Sequence, residues 1–193
     1  MANLIVGNLQ GGTGTTITME PGSRIAAAKE GGIYAPGMII QTVWVASSKR
    51  MTYTSPASGD GQPIYELEMT IAPRRSNSII YCQYMINYEM HYDNVFTFYK
   101  NRGLIGYNTQ VGNVNYSGVA AALYDQDQSS TPSNLYMSWY DSPGTTSSVT
   151  YGPGVRCSTG TTYTFCLNRT LSSIGTDSYE TGTSMGVIME IAQ

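Results

Sequence analysis

Charged residues and histidine are the scarcest features of this sequence. Its 193 residues include 10 Lys and Arg and 13 Asp and Glu, so 12% of the chain is charged and the net charge is −3. Proteins that bind nucleic acid present a basic face to the phosphates, and this composition excludes such a partner. His91 is the one histidine, which excludes metal sites built from two histidines of one chain. We therefore predict no nucleic-acid partner, no metal and no cofactor.

Long hydrophobic runs are also missing. No apolar stretch approaches the ~20 residues that a membrane-spanning helix requires. Residues 1–6 lack the basic start and the long apolar core of a secretion signal. Asn168-Arg169-Thr170 matches a glycosylation acceptor, which means little without such a signal. We expect no membrane partner and assembly of the protein in the cytoplasm.

Cysteine occurs three times, an odd number, with no Cys-x-x-Cys pair. Cys82 lies in the apolar run 79–84, which indicates a buried strand residue. Cys157 and Cys166 flank a short turn, and their spacing does not establish whether they pair. Thiols remain the expectation for a protein assembled in the cytosol.

Small polar residues and tyrosine are what the chain has in quantity. It contains 21 Gly, 20 Ser, 22 Thr and 16 Tyr, and 41% of its residues are hydrophobic. A chain of this length corresponds to one domain and buries roughly 70% of the surface that its unfolded form exposes. Many turn formers alongside many β-formers are typical of an all-β protein.

The first 36 residues differ in pattern from the remainder. Gly and Pro recur at short intervals, and the apolar pieces are as brief as Leu4, Ile5 and Val6. Such a segment buries too little apolar surface to offset the entropy lost on ordering. We predict an extended N-terminal arm over 1–36, disordered or ordered by a partner, and a folded β-domain over 37–193.

Ten segments have strand-like hydrophobic patterning, from which we predict eight or nine strands and no convincing helix. Residues 38–46 are strongly apolar, which favours a central strand, whereas 66–71 and 79–90 alternate between apolar and polar residues. Pro153 and Gly154 interrupt a later strand, which predicts a bulge or an edge position. Further strands are predicted at 95–100, 104–107, 134–141, 147–151, 154–158, 161–167 and 183–192. Short antiparallel strands in this number argue for a β-sandwich or barrel.

Aromatic residues with one polar edge lie on the second faces of the predicted strands. Side chains of this kind are enriched in protein interfaces, and they also fill cores or lie singly on surfaces. Both interpretations stay open at this point. The interface candidates comprise five of these aromatics and three apolar residues of the arm: Tyr81, Tyr99, Tyr136, Trp139, Tyr140, Leu4, Ile5 and Val6.

Groups that could carry chemistry have simpler explanations. Glu66 and Glu68 are two residues apart and would share a strand face, as a pair of glycosidase carboxylates could, but exposed strand charges account for them. Asp125 and Asp127 lack the Gly and the distal Glu of a calcium loop. His91 has no Gly-x-Ser-x-Gly elbow elsewhere in the sequence to act with. We predict no catalytic residue and no enzymatic activity.

Four stretches of this sequence, taken in order along the chain, resemble the motifs of a known family. They are an APG-led apolar strand at 33–43, a strand pair at 67–80, a hairpin at 99–106, and 140–151, which is close to the motif LDSPATTSATTY. Together they resemble a small virion domain of tailed bacteriophages that occurs in tail-fibre, head-fibre and capsid-decoration proteins. Gly144 stands where that motif has Ala, a change that leaves the turn intact.

The resemblance covers roughly 20–193 and implies a jelly-roll-like antiparallel β-sandwich, usually trimeric, without a catalytic role. We therefore expect a capsid decoration (cement) protein that stabilises the shell as a homotrimer bound to the major capsid protein or another virion protein. The alternative is a tail- or head-fibre tip that binds a host surface glycan or receptor. A glycan-cleaving enzyme is the remote third interpretation. Fibres need a coiled-coil or collagen-like stalk, and the chain has neither, which favours the first.

Overall fold

The computed structural model describes residues 35–107, 117–122, 131–158, 160–174 and 179–193, together with Pro21. The chain divides into two units, Met1–Ile33 and Tyr34–Gln193. This division lies near the predicted boundary after residue 36. The predicted arm, with its candidate contact residues Leu4, Ile5 and Val6, lies outside the described residues except for Pro21 and the last two positions.

Twelve strands in the described part of the chain form two antiparallel sheets. Sheet A contains β1 (Ile39–Ser47), β2 (Met51–Ser55), β5 (Ile79–Met90), β9 (Ser133–Asp141), β11 (Tyr163–Leu167) and β12 (Ser184–Ile191). Sheet B contains β3 (Gln62–Pro63), β4 (Met69–Ile71), β6 (Asn94–Lys100), β7 (Gly103–Gly106), β8 (Ala120–Ala122) and β10 (Val149–Cys157). The prediction of an all-β antiparallel sandwich is confirmed, and the jelly-roll order of connections stays a prediction.

Sheet A is built around β5, its longest strand. One side of β5 pairs with β9, and the other pairs first with β12 and then with β11. β1 lies outside β12 and β2 lies outside β11. Sheet B has β10 and β6 at its centre, with the short strands β3 and β4 beside β10 and β7 and β8 beside β6.

The core lies between the two sheets and is rich in aromatic rings. Tyr88 of β5 stacks on Phe165 of β11 at 5.5 Å and meets the edge of Phe96 of β6 at 5.0 Å. Ring pairs at these separations add stabilisation beyond their buried area. The alternating residues of β5 that were predicted to share one face are all buried here: Ile80, Cys82, Tyr84, Ile86, Tyr88 and Met90.

A charged contact joins the sheets at the end of β9. The Asp141 carboxylate accepts hydrogen bonds from Lys100 Nζ at 2.8 Å and from the Tyr151 hydroxyl at 2.6 Å, both groups belonging to sheet B. Because a partly buried carboxylate needs donors to offset its desolvation, this contact links the end of β9 to sheet B.

Three predictions of strand bounds and strand position are wrong. The segment 66–71 is not one strand: a 3-10 turn, Tyr65–Leu67, precedes β4, and Leu67, Met69 and Ile71 are nevertheless buried as expected. The predicted strands 147–151 and 154–158 are the single strand β10. The segment 38–46 was expected to be central, but β1 is an outermost strand that pairs with β12.

Pro153 lies within the central strand β10, and not at a bulge or on an edge strand. Its carbonyl oxygen accepts a hydrogen bond from the Ile64 amide at 2.9 Å, on the side of β10 where β4 and β3 lie. Within an antiparallel strand the N–H and C=O of one residue point to the same side. Pro153 lies between the part of β10 that pairs with β4 and the part that pairs with β3, and no strand residue is paired with it on that side. The missing proline N–H therefore removes no hydrogen bond from either pairing.

All three cysteines are buried thiols. Cys157 lies on β10 in sheet B and Cys166 on β11 in sheet A, so the two belong to different layers. Burial raises the pKa of Cys82 to about 12 and that of Cys166 to about 11. A buried neutral thiol behaves as a small hydrophobic side chain, as the sequence predicted for Cys82.

The possible glycosylation acceptor is also buried. The Asn168 side chain donates to the carbonyl oxygens of Ser47 and Lys49 at 2.8 and 2.9 Å and accepts from the Ser184 hydroxyl at 2.7 Å. These bonds use the amide to link β1, β11 and β12, and it is not available for modification in the folded chain. Separately, no helix among the described residues has the length and hydropathy needed to cross a membrane.

Candidate interaction surface

Strand alternation gives sheet A an outer face, turned away from sheet B. Successive residues of a strand point to opposite faces, so the buried positions of β5 leave Tyr81, Gln83 and Met85 on the outside. The pairing register of β1, β12, β5 and β9 aligns the outer residues in rows. The three rows, each read from β1 to β9, are Thr42, Met189, Tyr81 and Tyr140; Trp44, Val187, Gln83 and Ser138; Ala46, Met185, Met85 and Tyr136.

We call these twelve residues the apolar face. None of them is charged, and eight are Tyr, Trp, Met or Val. Surfaces of soluble domains usually carry charges of both signs interspersed. A sheet face four strands wide that carries no charged residue therefore differs from the usual surface of a soluble domain.

The large side chains of the apolar face are well exposed. Trp44 is 74% exposed, Tyr136 69%, Tyr140 65% and Met185 50%. Aromatic side chains each offer about 150–250 Å² for burial, so these three rings alone leave roughly 400 Å² in contact with water. The largest apolar patch on a typical monomer is about 300–600 Å² and is often functional. The apolar face reaches that range before its methionines are included.

A groove runs across the second and third rows. It has a volume of about 360 Å³ and lies between the side chains of Trp44 and Tyr136, with Met85, Met185 and Val187 along it. Gln83 is the one amide side chain that lines it. A groove with so few polar groups selects an apolar occupant over a hydroxylated one, because buried hydroxyls without partners are unfavourable.

A second opening lies at the outer edge of β9. It has a volume of about 290 Å³ and is lined by Gln83, Val119, Tyr136, Met137 and Ser138. Val119 belongs to the segment that leads into β8, so the opening lies between the edge of β9 and that segment. Space beside an outermost strand is what a further strand or chain would occupy.

Three of the five predicted aromatic contact residues lie on the apolar face. Tyr140 and Tyr81 are neighbours in the first row, and Tyr136 ends the third. Trp139 is different: it points inward, half-buried against the core. Adjacent strand residues cannot share a face, so only one of Trp139 and Tyr140 could be on this surface.

Tyr99 is not a surface residue. It is 3% exposed on β6, and its hydroxyl donates to the carbonyl oxygen of Asp60. Burial raises its pKa to about 12. Its ring lies over Gly154, where a Cβ atom would collide with it. Tyr99 therefore packs the loop before β3 onto sheet B and is not part of the exposed surface of the described residues.

Several residues of the apolar face were missed by sequence reasoning, above all Trp44 and Met185. Alternating positions of β1 form two sets of side chains on opposite faces of the strand. One set is Gln41, Val43 and Val45, and the other is Thr42, Trp44 and Ala46. Because apolar residues occur in both sets, the pattern predicts a strand buried on both faces. Such continuous apolar runs favour a buried strand, and here the second set faces outward instead.

Glu66, Glu68 and His91, the residues weighed for catalysis, contact different partners in the structure. Glu66 accepts from Lys49 at 3.2 Å, whereas Glu68 lies 3.7 Å from Arg102 Nε. His91 contacts the ring of Tyr92. No group of three or more potential metal ligands occurs among the described residues. Asp125 and Asp127 lie outside the described part of the chain.

The apolar face is thus the candidate site, and its chemistry is that of a protein contact. Its geometry comes from four paired strands, and its exposed rings are held by the sheet and not by loops. Comparison with known proteins assigns no family: no protein-family model and no curated protein matches this chain.

Proposed function

We propose that this chain is a non-enzymatic structural protein of a tailed-phage virion, which decorates the capsid and stabilises the shell as a homotrimer. The observation that carries the proposal is the apolar face, twelve uncharged positions with Trp44, Tyr136 and Tyr140 exposed by about two thirds or more. The resemblance of four sequence stretches to phage virion domains supplies the setting.

The apolar face supports assembly on grounds of area and composition. A stable interface buries about 800 Å² on each partner, and the exposed rings and methionines of this face supply a large part of that area. Aromatic residues and Met are enriched at interface centres, and charged residues are depleted there. The net charge of −3 spread over the whole chain places little repulsion between copies.

A second candidate, a fibre tip that binds a host glycan, is favoured by one other observation. Tyr92 and Tyr163 stack at 4.4 Å with an interplanar angle of 29°, and Tyr92 is 38% exposed beside His91. A flat aromatic pair near polar groups is a surface on which a sugar ring could stack. Loss of glycan binding in Tyr92→Ala, with folding intact, would support this second function.

Immunogold electron microscopy of purified particles tests the primary proposal. Antibody against the chain is expected to label the shell at many sites around each particle. Label confined to the tail would favour the fibre function, and particles without label would overturn both. Multi-angle light scattering of the purified chain is expected to give about three times 20.9 kDa.

A further inference from the structure

We infer that copies of this chain join through the two outer edges of sheet A, with β9 of one copy beside β1 of the next, so that three apolar faces enclose one axis. The inference rests on the homotrimer of the proposed function and adds which surfaces meet. It places the apolar face inside the assembly and leaves sheet B outside.

The two edges match in length and direction. β1 and β9 each contain nine residues and are the outermost strands at this end of sheet A, and no other strand of the described residues pairs with their outer sides. Successive antiparallel pairing from β1 through β12 and β5 makes β1 and β9 antiparallel. A rotation about an axis along the strands preserves direction, so β9 meets the next β1 in the antiparallel sense used throughout the fold.

Three such sheets close to the correct size. Four strands at about 4.8 Å, with one further spacing at the joint, make each side of a triangular prism about 19 Å wide. Each sheet then lies about 5.5 Å from the three-fold axis, close to half of the about 10 Å that separates packed sheets. The interior is therefore filled by one layer of side chains from each copy.

Side-chain sizes agree across the joint. When corresponding rows of neighbouring copies are aligned, each row places a large aromatic side chain of one strand, β9 or β1, opposite a small side chain of the other. The three pairs, β9 residue first, are Tyr140 with Thr42, Ser138 with Trp44, and Tyr136 with Ala46. Facing positions that alternate large and small interdigitate without voids. A heterologous contact of this kind closes into a ring when the rotation fits.

The middle of the apolar face suits the position nearest the axis. Val187 and Gln83 pair in the second row on β12 and β5, and both are smaller than Trp44 at the β1 end of that row. The sides of a triangle approach the axis most closely at their midpoints, so the side chains of β12 and β5 from the three copies meet there. Three Gln83 amides would meet there and could donate to and accept from one another, which would satisfy them when water is excluded.

Cysteine cross-linking tests this arrangement in the full-length chain. Ser138 and Ala46 are exposed and small, and in the ring they are diagonal neighbours across the joint at about 7–8 Å. Ser138→Cys with Ala46→Cys, treated with a short bis-maleimide, is expected to give covalent species of two and three chains and none larger. The native cysteines are buried and do not compete.

Two controls make the result specific. Ser138→Cys alone and the pair Ser138→Cys with Thr70→Cys, whose second site is an exposed position on β4 of sheet B, are expected to give at least tenfold less cross-linked product. Efficient cross-linking by Ser138→Cys alone would mean that β9 meets β9, and would overturn the ring in favour of a two-fold contact.

The failure of this inference can be told from the failure of the proposed function. A trimer by light scattering that does not cross-link in the double variant would overturn the edge contact and leave the homotrimer standing. A monomer in solution would overturn the ring, and the virion function would then be decided by the immunogold labelling alone.

Discussion

The substitution Glu190→Gln probes the most enclosed charge in the fold. Glu190 is fully buried on the inner side of β12. Its carboxylate accepts from the Ser78 hydroxyl and Gln41 Nε2, both at 2.7 Å, and from the amides of Arg74 at 2.9 Å and Arg75 at 3.2 Å. These bonds tie the turn between β4 and β5 to the β1–β12 pair. Glutamine keeps the shape but turns one acceptor oxygen into a donor.

The expected loss follows from that hydrogen-bond count. A hydrogen bond to a charged group contributes about 1.5–3 kcal/mol, and a buried donor left without a partner costs about 1–3 kcal/mol. The amide oxygen that the variant keeps would still serve part of the donor set, so we expect Glu190→Gln to lower the free energy of unfolding by about 3 kcal/mol. For a chain of 193 residues this corresponds to a fall in Tm of roughly 6–12 °C.

Urea and thermal denaturation at one fixed protein concentration, followed by circular dichroism, measure the effect. The matched control is Glu180→Gln, at an exposed position, which is expected to change the free energy of unfolding by less than about 0.5 kcal/mol. If Glu190→Gln and Glu180→Gln were equally stable, the hydrogen bonds to Glu190 would not stabilise the fold and the reasoning would be refuted.

The same carboxylate predicts a dependence on pH. Burial by itself raises the pKa of Glu190, but the hydrogen bonds from Ser78, Arg74, Gln41 and Arg75 outweigh it, and the net pKa is lowered. A group whose pKa is lower in the folded state contributes stability above its unfolded pKa, and that contribution is lost as pH falls through the folded value. The difference between wild type and Glu190→Gln should be constant near neutral pH and should shrink below about pH 4.3.

Three further predictions concern the apolar face, the packing of sheet B and the thiols. Val187→Lys puts a charge at the centre of the apolar face, and light scattering should fall from about three times 20.9 kDa to 20.9 kDa with the circular dichroism spectrum unchanged. Gly154→Ala drives a methyl group into the Tyr99 ring and should cost about 1–3 kcal/mol in denaturation, whereas Gly160→Ala, in open space, should not. Because burial raises the pKa of Cys82 to about 12, a thiol reagent at pH 8 should label it only after unfolding.

The fold class could be predicted from the sequence because the longest alternating segment, 79–90, forms the strand at the middle of sheet A. Twelve residues over 79–90 alternate regularly, and β5 has those bounds, with the expected set facing the core. A one-residue error in that register would have exchanged the two faces. The hairpin of β6 and β7 was also predicted, with a three-residue loop over 101–103. In the structure the loop has two residues, Asn101 and Arg102, both at positive φ, and Gly103 begins β7.

The sequence did not predict which strands lie beside each other or which aromatic side chains are covered by other parts of the chain. β1 is outermost because it pairs with β12 on one side and with no described strand on the other. The residues of 38–46 do not determine how many strands pair with β1. Tyr99 and Tyr136 are both strand tyrosines, yet the loop that carries Asp60 covers one and the other is exposed. Exposure of an aromatic residue is decided by what folds over it, so the candidate list could include buried residues and miss Trp44.

The short strands beside β10 and β6 have a consequence for where this protein can associate. The edges of sheet B are divided into ladders of two to four residues, β3 and β4 on one side and β7 and β8 on the other, and Pro153 keeps β3 and β4 from merging. Short edges give an approaching strand too few hydrogen bonds to hold it. Among the described residues, sheet A has longer outer strands, β1 and β9, of nine residues each, and the β1 ladder shifts register only between Ile39 and Gln41. Within the described part of the chain, strand addition is thus disfavoured at sheet B, and association by strand pairing would use sheet A.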